Sequence, residues 1–151
     1  MQDDLFTTFA LAAAFVLGGA LGYAAGHGSP VPLIGSFMPD GTVYAGVSTG
    51  LPLFTMPAGA PGTYTWDEGT AHCAALDSEG HKDWRVPTKG ELNVLFQNRA
   101  AIGGFNESGS IPAGRYWSST QDGYFAWIQS FSDGSQHTAD EYKGSSLRCV
   151  R

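Results

Sequence analysis

Tyr116-Trp117-Ser118-Ser119-Thr120, Ala126-Trp127-Ile128-Gln129-Ser130-Phe131 and the closing Leu147-Arg148-Cys149-Val150-Arg151 decide how this chain folds. Each is a short run of strand-forming and small residues, and the sequence between them is polar and rich in turn formers. Short strands of this kind hold up long irregular segments loaded with Gln, Asp, Tyr, His and Ser, the way a rigid scaffold presents a binding surface. Three or four strands are expected here: Tyr116 to Ser119, Phe125 to Phe131, Ser135 to Thr138 and Ser146 to Val150. Ser132-Asp133-Gly134 makes the turn between two of them.

Working outward, Thr88-Lys89-Gly90-Glu91 reads as a capping box, in which Thr88 and Glu91 satisfy each other's free amides at the start of a helix. Leu92, Leu95 and Phe96 then share a face, and Pro87 makes Trp84-Arg85-Val86-Pro87 an extended approach to that helix. An earlier helix starts near Thr65, with Asp67 and Glu68 in the first turn where the helix dipole favours acids, and ends by Gly80. Trp66, Cys73 and Leu76 fall broadly on one side of it. Thr42 to Val47 and Leu51 to Thr55 flank Ser48-Thr49-Gly50 as a hairpin, with Pro52 marking an edge strand.

The expected class is therefore α+β, two helices and short antiparallel strands. The chain has 151 residues, 42% hydrophobic and 13% aromatic, which is ample for a packed core. Only 15% are charged and 21 are Gly, so many tight turns are expected rather than long salt-bridged helices. The net charge is −6, and all eight Lys and Arg residues lie between Lys82 and Arg151, mixed with acids. Nucleic acid is excluded as a partner, because neutralising phosphates takes clustered cations.

Leu5 to Gly26 contains no charged residue and is long enough, as a helix, to cross a bilayer core. It is preceded by Met-Gln-Asp-Asp rather than a basic region, and no small-x-small cleavage site closes it. Gly18, Gly22 and Gly26 recur every four residues, a stripe along which helix backbones approach closely. An uncleaved membrane anchor, an atypical export signal and a self-associating assembly helix all remain open. The division expected is an apolar helix over 1–28, a Gly/Ser/Pro-rich linker over 29–40 and a binding domain over 41–151.

His81-Lys82-Asp83-Trp84-Arg85-Val86-Pro87-Thr88-Lys89-Gly90-Glu91-Leu92, followed by Tyr116-Trp117-Ser118-Ser119 and by Leu147 to Arg151, resembles the C-terminal domain family of the Lcl type of bacterial collagen-like adhesins. The resemblance covers roughly Gly41 to Arg151. It implies a C-type lectin-like fold in the variant also used by formylglycine-generating enzymes. Some members are similar to the variable proteins of diversity-generating retroelements, whose fixed strands carry rewritten loops. On that analogy the exchangeable face lies between Arg115 and Lys143. Its ligand-binding candidates are Gln121, Asp122, Tyr124 and Phe125, then Gln136, His137, Asp140, Glu141, Tyr142 and Lys143.

Under the same resemblance the compartment is oxidising, where Cys73 on the first helix and Cys149 on the last strand would pair across most of the domain. Two buried free thiols are the alternative. No catalytic constellation is visible. His27, His72, His81 and His137 fall in different segments without ligand spacing, and His72 cannot face Cys73 because adjacent helix residues diverge. No resident metal or cofactor is expected, since the Glu-Pro-Asn, Gln-Pro-Asp and Trp-Asn-Asp patterns of related calcium sites are missing. Asp122, Asp140 and Glu141 are the hard oxygen ligands calcium would otherwise use.

Trp84, Trp117 and Trp127 are assigned to the core, whereas Tyr124, Phe125 and Tyr142 lie in polar loop sequence and lead the contact residues. The expected function is a non-enzymatic recognition or adhesion module, displayed outside the cytoplasm on a cell envelope or phage virion. Its ligand would be a carbohydrate or protein receptor, and family analogy suggests a homo-oligomer, possible as a trimer. The alternative is a structural or decoration subunit of a virion or cell-surface assembly, oligomerised through the N-terminal helix.

Overall fold

Thr49 and Gly50 both take positive φ, 51° and 83°, the backbone a tight two-residue hairpin turn demands. They join β1 (Val43–Ser48) to β2 (Leu51–Thr55) in an antiparallel pair with a bulge between Tyr44 and Gly46. The computed structural model describes residues 30–151, and the apolar helix expected around Gly18, Gly22 and Gly26 lies outside them. Residues 31–40 are bonded to the hairpin: Gly35 N–H donates to the Tyr44 carbonyl at 2.8 Å and Met38 N–H to that of Thr42 at 2.8 Å. The compact unit runs from Val31 to Arg151, so this stretch belongs to the body of the domain.

Two capped helices follow, α1 (Trp66–Ala75) and α2 (Lys89–Gln97), then a short α3 (Arg99–Ile102). Both longer helices begin with a reciprocal capping box, Thr65 with Glu68 and Thr88 with Glu91, each worth about 1 kcal/mol. Helix α1 ends at Ala75, within the limit set by Gly80. The residues beyond it instead form a turn closed by the Ser78–His81 bridge, with Glu79 and Gly80 at positive φ.

The remaining strands, β3 (Arg115–Asp122), β4 (Phe125–Ser130) and β5 (Gln136–Asp140), form an antiparallel sheet in that order. The molecule is α+β. The expected fourth strand, Ser146 to Val150, is not a strand. It makes isolated bridges, Ser146 to Tyr116 and Val150 to both Thr55 and Arg85. Because the partner changes every few residues, no continuous ladder develops.

This closing run is the seam of the core. Val150 packs with Val43, Leu53, Leu92, Leu95, Tyr116 and Phe131 in one cluster. Leu147 and Cys149 pack with Cys73, Trp84, Trp117 and Ile128 in the other. Each large apolar side chain buried this way contributes about 1.5–3 kcal/mol. Cys73 and Cys149 are joined in a disulfide, their Cα atoms 5.7 Å apart, which pins α1 to the seam.

Buried indoles find carbonyl partners, as their N–H groups must. Trp84 donates to Ser78 at 3.1 Å and Trp117 to Tyr64 at 2.7 Å. Trp127 departs from the expectation of a core residue: it is only half-buried, with Lys89 Nζ 3.1 Å above its ring centre. Ala126 and Ile128 belong to the core cluster, and strand alternation turns the residue between them to the other face.

Candidate functional site

The tip of the β3–β4 hairpin sets the first wall of the site. Asp122 pairs with Phe125, leaving Gly123 and Tyr124 as a two-residue turn with Gly123 at φ 64°. Glycine at the first central position supplies the backbone such a turn requires, and Tyr124 is carried to the apex, 91% exposed. Phe125 is the first residue of β4 rather than a loop residue, and is 43% exposed.

The second wall is the segment after β5. Tyr142 stands 75% exposed on a loop held at both ends. Trp66 N–H at the start of α1 donates to the Glu141 carbonyl at 2.9 Å, and Tyr64 and Ser145 exchange backbone bonds of 2.9 Å. Thr65, Asp67, Tyr124, Phe125, Asp140, Glu141 and Tyr142 together line an open cleft of about 450 Å³.

Within it the polar groups constrain one another. Asp140 Oδ2 accepts from Lys143 Nζ at 2.8 Å and from the Tyr142 hydroxyl at 3.2 Å. The Lys143 bond, then that of Tyr142, holds the Asp140 carboxyl below its usual range, and Asp140 in turn raises Lys143. Glu141 Oε1 accepts from the Gln121 amide at 2.7 Å. Asp67, on the first turn of α1, is exposed.

The ten sequence candidates thus divide. Tyr124, Phe125, Asp140, Glu141 and Tyr142 line the cleft. Gln121 and Lys143 are bonded to two of its carboxylates, and Asp122 pairs with Phe125 at its edge. Gln136 and His137 occupy the opposite end of β5, opposite Gln129 and Ile128, about 10–13 Å from Asp140 along the strand. The Gln136 amide is also committed to the framework, donating to the Lys89 carbonyl at 3.0 Å and to Gln129 Oε1 at 3.1 Å.

Two cleft residues were missed by sequence reasoning, Thr65 and Asp67. Their capping pattern announced a helix start, yet nothing in the sequence placed that start beside Tyr142. Among the described residues no group of three or more His, Cys, Asp or Glu is arranged to hold a metal ion. Of the carboxylates considered for calcium, Asp140 is paired with Lys143 and Glu141 accepts from Gln121.

The disulfide is consistent with an oxidising, extracytoplasmic setting. No curated protein matches the chain. The family model of the Lcl C-terminal domain matches residues 46–151, which hold both helix caps, the disulfide and the whole cleft, and the chain belongs to that family.

Proposed function

We propose that this domain is a non-enzymatic recognition module, built on a C-type lectin-like framework and displayed outside the cytoplasm on a cell envelope or virion. Its ligand, a carbohydrate or protein receptor, rests in the cleft between the β3–β4 tip and the loop after β5. One observation carries the reading: Tyr124 and Tyr142, 91% and 75% exposed, line the same cleft. Large aromatic surfaces left in water cost free energy unless a partner covers them, and tyrosine gives contact area at low entropic cost. The framework beneath is closed by a disulfide and by the bonds of α1 to the loop, so little ordering is required on binding.

The test is adhesion of the full chain to a glycan array and to purified surface proteins, before and after Tyr124→Ser with Tyr142→Ser. Loss of adhesion with an unchanged thermal midpoint supports the reading; retained adhesion rejects it. A second reading, a structural or decoration subunit, is favoured by the exposure of Val31, Leu33 and Phe37, apolar side chains suited to contact with a sister copy. It predicts that Leu33→Ser with Phe37→Ser lowers the oligomeric mass in solution, and an unchanged mass removes it.

A further inference from the structure

The geometry points to a basic segment of a protein partner as the occupant of the cleft, presenting a Lys or Arg side chain to Tyr124, Phe125 and Tyr142. This rests on the recognition reading above and names the class of ligand. Three carboxylates line the cleft, those of Asp67, Asp140 and Glu141. One, Asp140, is neutralised by Lys143. Among the described residues Glu141 is held only by the neutral Gln121 amide, and Asp67 is exposed. Two negative charges therefore stand uncompensated beside three aromatic rings. The faces of those rings attract cations through their quadrupole, with Lys and Arg the side chains concerned.

Charge complementarity separates this occupant from its competitors. A sulfated or phosphorylated ligand would meet like charge at the rim, and Arg115 and Lys143 line a different hollow. The protein as a whole is at −6, so its field steers cations toward it and anions away. A small free amine is a poor match for another reason. Small-molecule sites enclose most of their ligand, whereas this cleft is open on its outer side. A chain segment that lays one cationic side chain in the cleft and extends beyond it recovers the remaining contact area.

The experiment uses the full chain and fluorescent decapeptides of Gly and Ser carrying Lys or Arg at alternate positions, with Asp-bearing peptides, heparin and a neutral mannan oligosaccharide as the other arms. Basic peptides are expected to bind and to weaken several-fold between about 50 and about 300 mM salt. Asp67→Asn with Glu141→Gln, both on exposed or rim positions, should weaken them about tenfold together while lowering the thermal midpoint by no more than about 4 °C, the share of the Asp67 charge in the first turn of α1. Tyr124→Ser with Tyr142→Ser should abolish binding.

If heparin or the neutral glycan binds in preference, and the tyrosine variant loses that binding, the recognition surface stands and the cationic occupant is overturned. Basic-peptide binding that ignores both carboxylates overturns it as well. Should the tyrosine variant keep every interaction the parent shows, both readings fail together.

Discussion

The Gln121 side-chain amide donates to Glu141 Oε1 at 2.7 Å, joining the far end of β3 to the loop that carries Tyr142. The hairpin tip and the loop are thus one unit, although twenty residues separate the bonded pair. Because both groups are exposed, the bond adds little to global stability. Its effect is on order: it fixes the distance between the two tyrosine-bearing walls. Gln121→Ala should leave the thermal midpoint within about 2 °C of the parent and weaken adhesion about 2- to 5-fold. Calorimetry beside a binding isotherm reads both, and a large fall in midpoint would assign the bond to the framework instead.

The Cys73–Cys149 disulfide spans 76 residues of sequence. Closing a loop of that length removes unfolded-state freedom worth about 4 kcal/mol on the chain-entropy account. Cys73→Ser with Cys149→Ser should therefore lower stability by about 4–5 kcal/mol in urea titration, with the cleft retained in whatever fraction remains folded. Both sulfurs lie in the core cluster with Trp84 and Trp117, so the two hydroxyls add a desolvation cost of their own. A loss below about 1 kcal/mol would mean that the seam holds by packing alone.

What the sequence made legible was local. The Thr88/Glu91 capping box, the turn at Thr49-Gly50 and the limits of β2 are written in residues adjacent to one another, and the structure has them where they were expected. The closing run was misread as a strand because its β-forming composition is real, while its alternating partners are a tertiary property. Trp127 was misread for a similar reason: the run Ala126-Trp127-Ile128 is apolar throughout, and only the sheet decides which face meets the core. The cleft was half legible. Tyr124 and Tyr142 stood out as aromatics in polar loop sequence, but the meeting of α1 with the loop at Glu141 depends on contacts 75 residues apart (141 − 66) that no local pattern encodes.

Glu91 closes the capping box of α2 and also receives Arg85. Its Oε2 lies 2.6 Å from Arg85 Nη1 and 2.9 Å from the Thr88 amide. Burial opposes ionisation here, but the bonds from Arg85 and the Thr88 amide outweigh it and hold the Glu91 carboxyl below the usual 4.5. A carboxyl whose folded pKa is depressed contributes stability above its unfolded value and loses it as pH falls through the folded one. Glu91→Gln should thus cost about 1–2 kcal/mol at neutral pH. The gap to the parent should narrow as pH drops below 4.5. Urea titrations at a series of pH values measure the gap, and one that stays constant into acid would show that the charge of Glu91 is not what stabilises the cap.

Arg148 is wholly buried and has no carboxylate beside it among the described residues. Its guanidinium is instead shared among oxygens of three segments. Nε donates to Thr55 Oγ1 at 3.1 Å, Nη2 to the Pro57 carbonyl at 3.1 Å and the Gly103 carbonyl at 3.3 Å, and Nη1 to the Gly104 carbonyl at 3.3 Å. Phe105 lies under it, 4.5 Å from ring centre to guanidinium carbon. Burial pulls the pKa down to about 10, so the group remains charged at neutral pH and works as a fork of donors between two loops. Arg148→Met would spare the desolvation of a charge yet leave three carbonyls without donors, at about 1 kcal/mol or more each. The expected loss is about 3 kcal/mol by urea titration. Arg148→Lys should recover only part of it, because a compact ammonium cannot span the fork. If Met matched the parent in stability, the packing of the stem against Phe105 would have to be the main contribution, and the two loops would be held by something other than this guanidinium.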